Sequence, residues 1–215
     1  MIQVIAMSAA AGPKRAPSQS MITGPFGVPV PEVFDVSGAD IVMERVTGPT
    51  MLDVMGRRPW TVGGQARLLA KLHGLVHQVP AASLPDLVEP LPFGTPARET
   101  SVLLHRDLHP QNVILTQRGP VIIDWEGAAR GPAVADIGMT WVIIGFSDIP
   151  GPRWRAVAAR GVQAALTRSF LRAAGPLDDA WRLTVIQRRL TDPNVLPSEA
   201  ARLRKLLPEE PLASV

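Results

Sequence analysis

The apolar positions change their period as the chain proceeds. Up to about residue 46 they come in short runs: residues 31–36 and 40–46, joined by Ser37-Gly38-Ala39 and closed by Gly48-Pro49, predict two short strands. Ahead of them, residues 1–31 are rich in Ala, Ser, Pro and Gly, with prolines at 13, 17, 25, 29 and 31. Proline fixes φ and removes a ladder donor, so loop or disorder is expected there. A helical turn is expected at 50–56, and then a helix from Thr61 as N-cap to about Val79, because Leu68, Leu69, Leu72, Leu75, Val76 and Val79 share one helical face. A proline-rich loop over 80–100 follows. Three short apolar runs at 102–104, 113–115 and 121–123 predict strands, the last two joined through Gln117-Arg118-Gly119. From Ala133 the period is helical, with helices expected near 134–146, 153–173, 177–191 and 198–207. In the second of these, Trp154, Val157, Ala158, Val162, Ala165, Leu166 and Phe170 recur at helical spacing and are read as a core face. The sum is an α+β chain with a small strand-rich start and a helical C-terminal part.

Composition narrows the classes. At 215 residues the chain is one domain, or one domain with a small appendage. With 46% hydrophobic and 19% charged residues it can bury a sizeable core. No cysteine is present, which excludes disulfides, cysteine nucleophiles and thiolate metal sites and fits a reducing, cytoplasmic setting. No apolar run reaches the length of a membrane-spanning helix, and no basic residue precedes the mildly apolar start as in a signal peptide. The net charge of +3 comes from 22 basic and 19 acidic residues, with Lys only at 14, 71 and 205. The arginines are scattered, apart from Arg188-Arg189 and the stretch 202–205, so they read as solvated helix faces rather than a nucleic-acid stripe. No membrane or nucleic-acid partner is expected, and oligomeric state is not legible.

The chemistry concentrates in residues 101–126, SVLLHRDLHPQNVILTQRGPVIIDWE. Two apolar strands flank a polar loop that presents Asp107 and, five residues on, Asn112; a hairpin then brings Asp124 to the end of the next strand. Three oxygen-bearing side chains converging on one place suit a hard cation such as Mg²⁺, which keeps several waters and takes few protein ligands. Singly, each is a common turn former; the fixed spacing is what points to a site. His105 and His109 have the i, i+4 spacing of a zinc pair, but Arg106 stands where the helper Glu is needed and Pro110 opposes a helix. His73 and His77 share a helical face and are expected at the surface or half-buried.

His105-Arg106-Asp107-Leu108 with Asn112 matches the kinase pattern H-R-D-L-x-x-x-N, and Asp124-Trp125-Glu126 stands where kinases have D-F-G. HRDLHPQN followed by IIDWE resembles the aminoglycoside phosphotransferase and choline kinase-like family, which shares the protein-kinase fold. The likeness extends back to Ile41-Val42-Met43-Glu44-Arg45-Val46, similar to the hinge strand between two lobes, and forward to Gly131 and Asp136. The resemblance implies a protein-kinase-like fold, a mostly helical C-lobe with a truncated N-lobe remnant. The corresponding division is an irregular segment over 1–27, an N-lobe remnant and hinge over 28–46, a C-lobe over 47–207 and a tail over 208–215. It implies Asp107 as catalytic base, Asn112 and Asp124 as Mg²⁺ ligands, and adenine held by the backbone of Glu44 and Val46 above Ile114 and Ile123. Asp136 would brace the catalytic loop without touching substrate. ATP is the implied co-substrate and a small-molecule hydroxyl the acceptor.

The departure from that family lies ahead of the hinge. Only 39 residues precede the hinge strand, they hold no G-x-G-x-x-G, and Lys14 between Pro13 and Arg15 is the only lysine among them. A kinase N-lobe supplies a glycine-rich hairpin over the phosphates and a strand lysine. Gly24 and Gly27 sit among prolines unsuited to such a hairpin. Weak ATP binding by this 215-residue chain is therefore expected. A mis-started or frameshifted gene product, a decaying remnant and a short variant using a C-lobe alone stay open. So does a catalytically inactive kinase-like binding or regulatory module. From Asp124 onward there are 10 acidic and 12 basic residues, no acidic excess for a polycation, which favours a neutral or anionic hydroxyl acceptor.

Overall fold

In a computed structural model the described residues are 2–6, 26–37, 40–83, 101–148 and 153–208. Three strands open the chain: β1 (Ile2–Ala6), β2 (Val33–Ser37) and β3 (Asp40–Glu44). They form one antiparallel sheet in the order β1-β3-β2, so the strand similar to a hinge lies in the middle. The β1 strand corrects the loop expected over residues 1–27. Ile2-Gln3-Val4-Ile5-Ala6 has the β-branched content of a strand, and the prolines that argued for loop begin only at residue 13. Lys14, Gly24 and Pro25 lie outside the described residues.

After β3 the chain turns through Gly48 into helix α1 (Met51–Arg57). Thr50 caps it in a capping box: Asp53 N–H donates to Thr50 Oγ1 at 3.0 Å, and Thr50 N–H donates to Asp53 Oδ2 at 3.0 Å. This segment lies against strand β5 (Val113–Thr116): Leu115 N–H donates to Pro49 O at 2.9 Å, and Thr50 pairs with Ile114 as an isolated bridge. The approach leaves no space at Gly48, where an added Cβ would meet Leu115 O at 2.5 Å and Ile114 Cγ2 at 3.1 Å. Gly48→Ala is therefore expected to cost about 1–3 kcal/mol by forcing the backbone apart. Chemical denaturation should show the loss; a midpoint equal to the parent's would contradict this packing.

Helix α2 (Val62–Val76) buries Leu69, Leu72 and Val76 of the predicted stripe, leaves Leu68 and Leu75 half-buried, buries Ala66 and His73 as well, and ends three residues sooner than expected. Strand β4 (Val102–Leu104) pairs antiparallel with β7 (Ala129–Gly131), and β5 with β6 (Gly119–Ile122). Helices α3 (Ala133–Phe146), α4 (Arg153–Ala174), α5 (Asp179–Leu190) and α6 (Pro197–Arg204) follow, each close to its expected span. The main core joins α2 and α4, through Leu69, Leu72, Leu166 and Phe170, to Leu103, Leu108, Val113 and Ile122 of the β4–β6 segment. The side chains of residues 153–158 lie outside the description, so Trp154, Val157 and Ala158 are not placed. A second cluster joins Val142 and Ile143 of α3 to Val185, Ile186 and Leu203. Helix α3 is thus buried on two sides. Gly138 lets α5 approach it, since a Cβ there would lie 2.7 Å from Val185 Cγ1. This double burial makes α3 the rigid support behind the loop that carries Asp107.

Candidate active site

The site is built on the backbone between β4 and β6. After Leu104 the chain leaves the strand, Arg106 adopts φ +70°, and a 3-10 turn over Pro110–Asn112 leads into β5. His105 is fully buried. Its Nε2 lies 3.0 Å from Ile123 O, and its Nδ1 accepts the Asp107 N–H at 3.3 Å. A carbonyl only accepts, so the ring is the Nε2–H tautomer, and neither nitrogen is left for a metal. The ring also packs at 4.5 Å from Trp125, whose indole N–H donates to Ile122 O at 3.1 Å. Burial, partly offset by the charge of Asp136, holds the His105 pKa below that of a free histidine. One neutral imidazole thereby ties the Asp107 loop to the end of β6, where Asp124 follows.

Asp107 and Asn112 form a direct unit. The Asn112 amide donates to Asp107 O at 2.9 Å and to Asp107 Oδ2 at 3.1 Å. With its amide hydrogens taken up there, Asn112 has its Oδ1 as the remaining side-chain donor atom for a cation. His109 Nδ1 accepts from the Gln111 N–H at 3.3 Å, and its Nε2 stands 3.4 Å from Asp107 Oδ1. Burial pulls the Asp107 pKa upward, but the His109 hydrogen bond, the nearby His109 and His105 rings and the Asn112 amide outweigh it. The carboxyl is held below its ordinary value and stays ionised at neutral pH. Ile123 N–H donates to Asn112 O at 3.0 Å, which sets Asp124 beside Asn112 along the backbone. Asp124 is exposed and takes a left-handed conformation, φ +65°. Asp and Asn tolerate that region better than most residues.

The remaining sequence-predicted positions are Glu44, Val46, Ile114 and Ile123. Glu44 ends β3, and its N–H donates to Glu32 O at 2.6 Å, so that N–H is not available to a base. Its carboxylate pairs with Arg118 at the tip of the β5–β6 hairpin. Val46 and Ile123 are half-buried, and half-buried Ile114 borders Gly48 two residues past Val46.

Beneath the loop lies a buried polar network that sequence reasoning foresaw only in part. Asp136, inside α3, accepts from the His105 N–H at 3.2 Å and the Arg106 N–H at 2.6 Å. His77 Nε2 lies 3.0 Å from Asp136 Oδ2. Burial drives the Asp136 pKa up, yet the His77 hydrogen bond and the nearby His73, His77 and His105 rings prevail, and the carboxyl is held far below the ordinary range. His73 was expected near the surface and is 1% exposed. It reaches Leu69 O at 3.0 Å and Thr140 Oγ1 at 2.9 Å, and Thr140 donates toward Leu108 O at 2.8 Å. The available signal was the pair of i, i+4 spacings, His73/His77 and Asp136/Thr140.

Burial lowers the His73 pKa to about 4, against the opposing pull of Asp136, with His77 and His105 adding to the lowering. An unfolded chain takes up a proton at His73 near pH 6.5, whereas the folded one resists until about pH 4. The associated stability is therefore complete above pH 6.5 and drains away as pH falls toward 4, by about 3 kcal/mol in all. Denaturation of the parent and of His73→Phe at intervals over that window should show a shallower pH slope in the variant. Identical slopes would contradict a buried neutral His73.

Two comparisons bear on this geometry. The profile of a phosphotransferase enzyme family matches residues 89–175, which include the whole β4–β6 segment. Among solved structures, the thermostable mutant of aminoglycoside phosphotransferase APH(4)-Ia, in its apo form, is 16% identical, with a TM-score of 0.58 over 95% of this chain and 84% of that one. Aminoglycoside-3'-phosphotransferase of type VIII is 18% identical, with a TM-score of 0.53 over 86% and 82%. Spectinomycin phosphotransferase APH(9)-Ia, solved with ADP and spectinomycin, is 13% identical, with a TM-score of 0.52 over 95% and 79%. No curated protein sequence matches. The fold is thus kinase-like and α+β, as expected, and the resemblance to the aminoglycoside phosphotransferase family rests on the matched segment and on the fold together. Among the described residues, no helix is long and apolar enough to cross a membrane.

Proposed function

We propose that the chain is an ATP- and Mg²⁺-dependent phosphotransferase acting on a hydroxyl of a small molecule. The observation that carries the reading is the Asp107–Asn112 unit, with Asp124 held next to it by the Ile123–Asn112 backbone bond. An ionised Asp107 within reach of an acceptor hydroxyl orients it and takes its proton as the oxygen–phosphorus bond forms. The bond from the γ-phosphorus to the bridging oxygen breaks, and ADP leaves with that electron pair. Asn112 Oδ1 and the exposed Asp124 carboxylate are oxygen donors and fit a hard cation. A bound Mg²⁺ would neutralise charge developing on the phosphate oxygens. His109 and Asn112 keep Asp107 ionised and fix its orientation. Asp136 fixes the backbone on the N-terminal side of Asp107 and stays away from substrate.

Purine binding is assigned to the Glu44 carbonyl and the Val46 backbone, with Ile114 and Ile123 as an apolar floor. The 28–46 segment serves as the N-lobe part and hinge, and 47–207 as the C-lobe. Because no G-x-G-x-x-G precedes β3, a weak affinity for Mg-ATP is expected of this chain. The balanced charge after Asp124 favours a neutral or anionic acceptor over a polycation.

Thermal denaturation with millimolar Mg-ATP should raise the melting point by mass action, and Asp124→Asn should abolish that shift. Phosphoryl transfer to a panel of neutral and anionic polyols is the companion assay. A Mg-ATP shift without transfer to water or any acceptor would favour a binding module. No shift at all would remove the nucleotide reading.

A further inference from the structure

Helices α2 and α3 each carry a polar pair one turn apart, and the pairs meet partner to partner. His77 contacts Asp136, and His73 contacts Thr140. From the other side the α3 pair reaches the loop that carries Asp107. Asp136 takes the N–H groups of His105 and Arg106, ahead of Asp107, while Thr140 approaches the carbonyl of Leu108, just after it. Asp107 is bracketed by two contacts rooted four residues apart on one rigid helix.

The two contacts differ in their proton count. His73 Nδ1 lies 3.0 Å from Leu69 O, and a carbonyl can only accept, so Nδ1 carries the hydrogen. A neutral imidazole then offers Nε2 as a bare acceptor. Burial keeps His73 neutral, against the charge of Asp136 from α3; the other titratable groups facing it are His77 on its own helix and His105 on the loop. Thr140 Oγ1 has one hydrogen and two acceptors, His73 Nε2 at 2.9 Å and Leu108 O at 2.8 Å. All three residues are buried, and Leu108 and Thr140 are 0% exposed, so solvent does not supply the missing hydrogen bond.

We propose that Thr140 and His73 are positioning residues for phosphoryl transfer: the single Thr140 hydroxyl proton is shared between His73 and the Leu108 carbonyl, and its division sets the peptide plane next to Asp107. The shared proton rests on this geometry and on a neutral, buried His73, while its catalytic meaning rests on the role proposed for Asp107. The two residues then act in opposite senses. Thr140→Val keeps the shape and deprives the Leu108 carbonyl of its donor. His73→Phe removes the competing acceptor and gives that carbonyl the whole proton. General loosening of the core would move the loop in the same sense in both.

The test uses the full chain, labelled with ¹³C and ¹⁵N, as parent, Thr140→Val, Thr140→Ser and His73→Phe, with His73→Leu as the second variant at that position should the Phe ring not be accommodated. The Leu108 carbonyl carbon and the His109 amide report the hydrogen bond, and kcat and KM for Mg-ATP are measured alongside. The expected result is an upfield Leu108 carbonyl shift in Thr140→Val, a downfield shift in the His73 variant, and a parent-like value in Thr140→Ser. In Thr140→Val, kcat should fall roughly tenfold with KM within about twofold, and Thr140→Ser should restore it. Shifts of the same sign in both variants, or none, would overturn the shared proton. A loss confined to KM would overturn the positioning role. Opposite shifts in a chain that transfers no phosphate would uphold the shared proton and reject the role assigned to Asp107; transfer with like-signed shifts would do the reverse.

Discussion

Asp107→Ala is expected to reduce phosphoryl transfer by roughly 10²–10⁴-fold, the range of a lost general base, while leaving the chain folded. The two halves of that expectation have separate causes. The Asp107 side chain is 45% exposed, and its removal still leaves Asn112 its bond to the Asp107 carbonyl. One Asn112 amide hydrogen loses its acceptor, but at an exposed carboxylate position that water can fill, so the stability change should stay within about 1 kcal/mol. The loss of turnover follows because, among the described residues, no other carboxylate shares the Asn112 amide. Measurement of kcat alongside the denaturation midpoint checks both halves. Unchanged transfer in the variant would take Asp107 out of the mechanism.

Asp136→Ala should have the opposite profile, a large stability loss arising away from substrate. The side chain is fully buried and serves three donors, the N–H groups of His105 and Arg106 and the ring of His77. Truncation takes the buried acceptor away from all three groups, at a cost of about 3–5 kcal/mol. For a chain of this size the melting point should drop by about 6–20 °C. Asp136→Asn is the sharper variant. It keeps the volume but turns one acceptor into an NH₂ that faces a donor, so most of the loss should remain. An Asn variant as stable as the parent would contradict the three-donor account. Since the folded pKa of Asp136 is depressed, its contribution is present above the ordinary carboxylate pKa and disappears as pH falls through the lower folded value.

The fold was legible wherever local pattern and tertiary partner agree. Leu69, Leu72 and Val76 on the buried face of α2 follow from helical spacing, and the close match of α3 to α6 follows from long periodic segments with few breakers. β1 was hidden by the prolines downstream of it, and β7 is three residues with Arg and Gly, too short to carry a period. The candidate site was legible because its spacing is compact: Asp107, Asn112 and Asp124 span one loop and one hairpin. What supports that loop was not. Asp136 and Thr140 meet residues about 30 and 60 positions away, and sequence spacing gives a residue's helical face without naming what crosses it. His73 was misplaced for this reason, since its partner lies on α3. Glu44 shows the same limit in the backbone. Its position on β3 was readable, but the loss of its N–H to Glu32 depends on strand pairing.

The most direct test of the account is whether one divalent ion sits at Asn112 and Asp124 beside Asp107. Mn²⁺ with a non-hydrolysable ATP analogue serves as the probe, because the paramagnetic ion broadens only nearby nuclei. Titrated into the ¹⁵N-labelled chain, it should first erase the Asn112 side-chain amide and the backbone signals of Asp107 and Asp124, and Asp124→Asn should abolish the effect. Broadening that spares residues 107, 112 and 124, or that persists unchanged in Asp124→Asn, would contradict it.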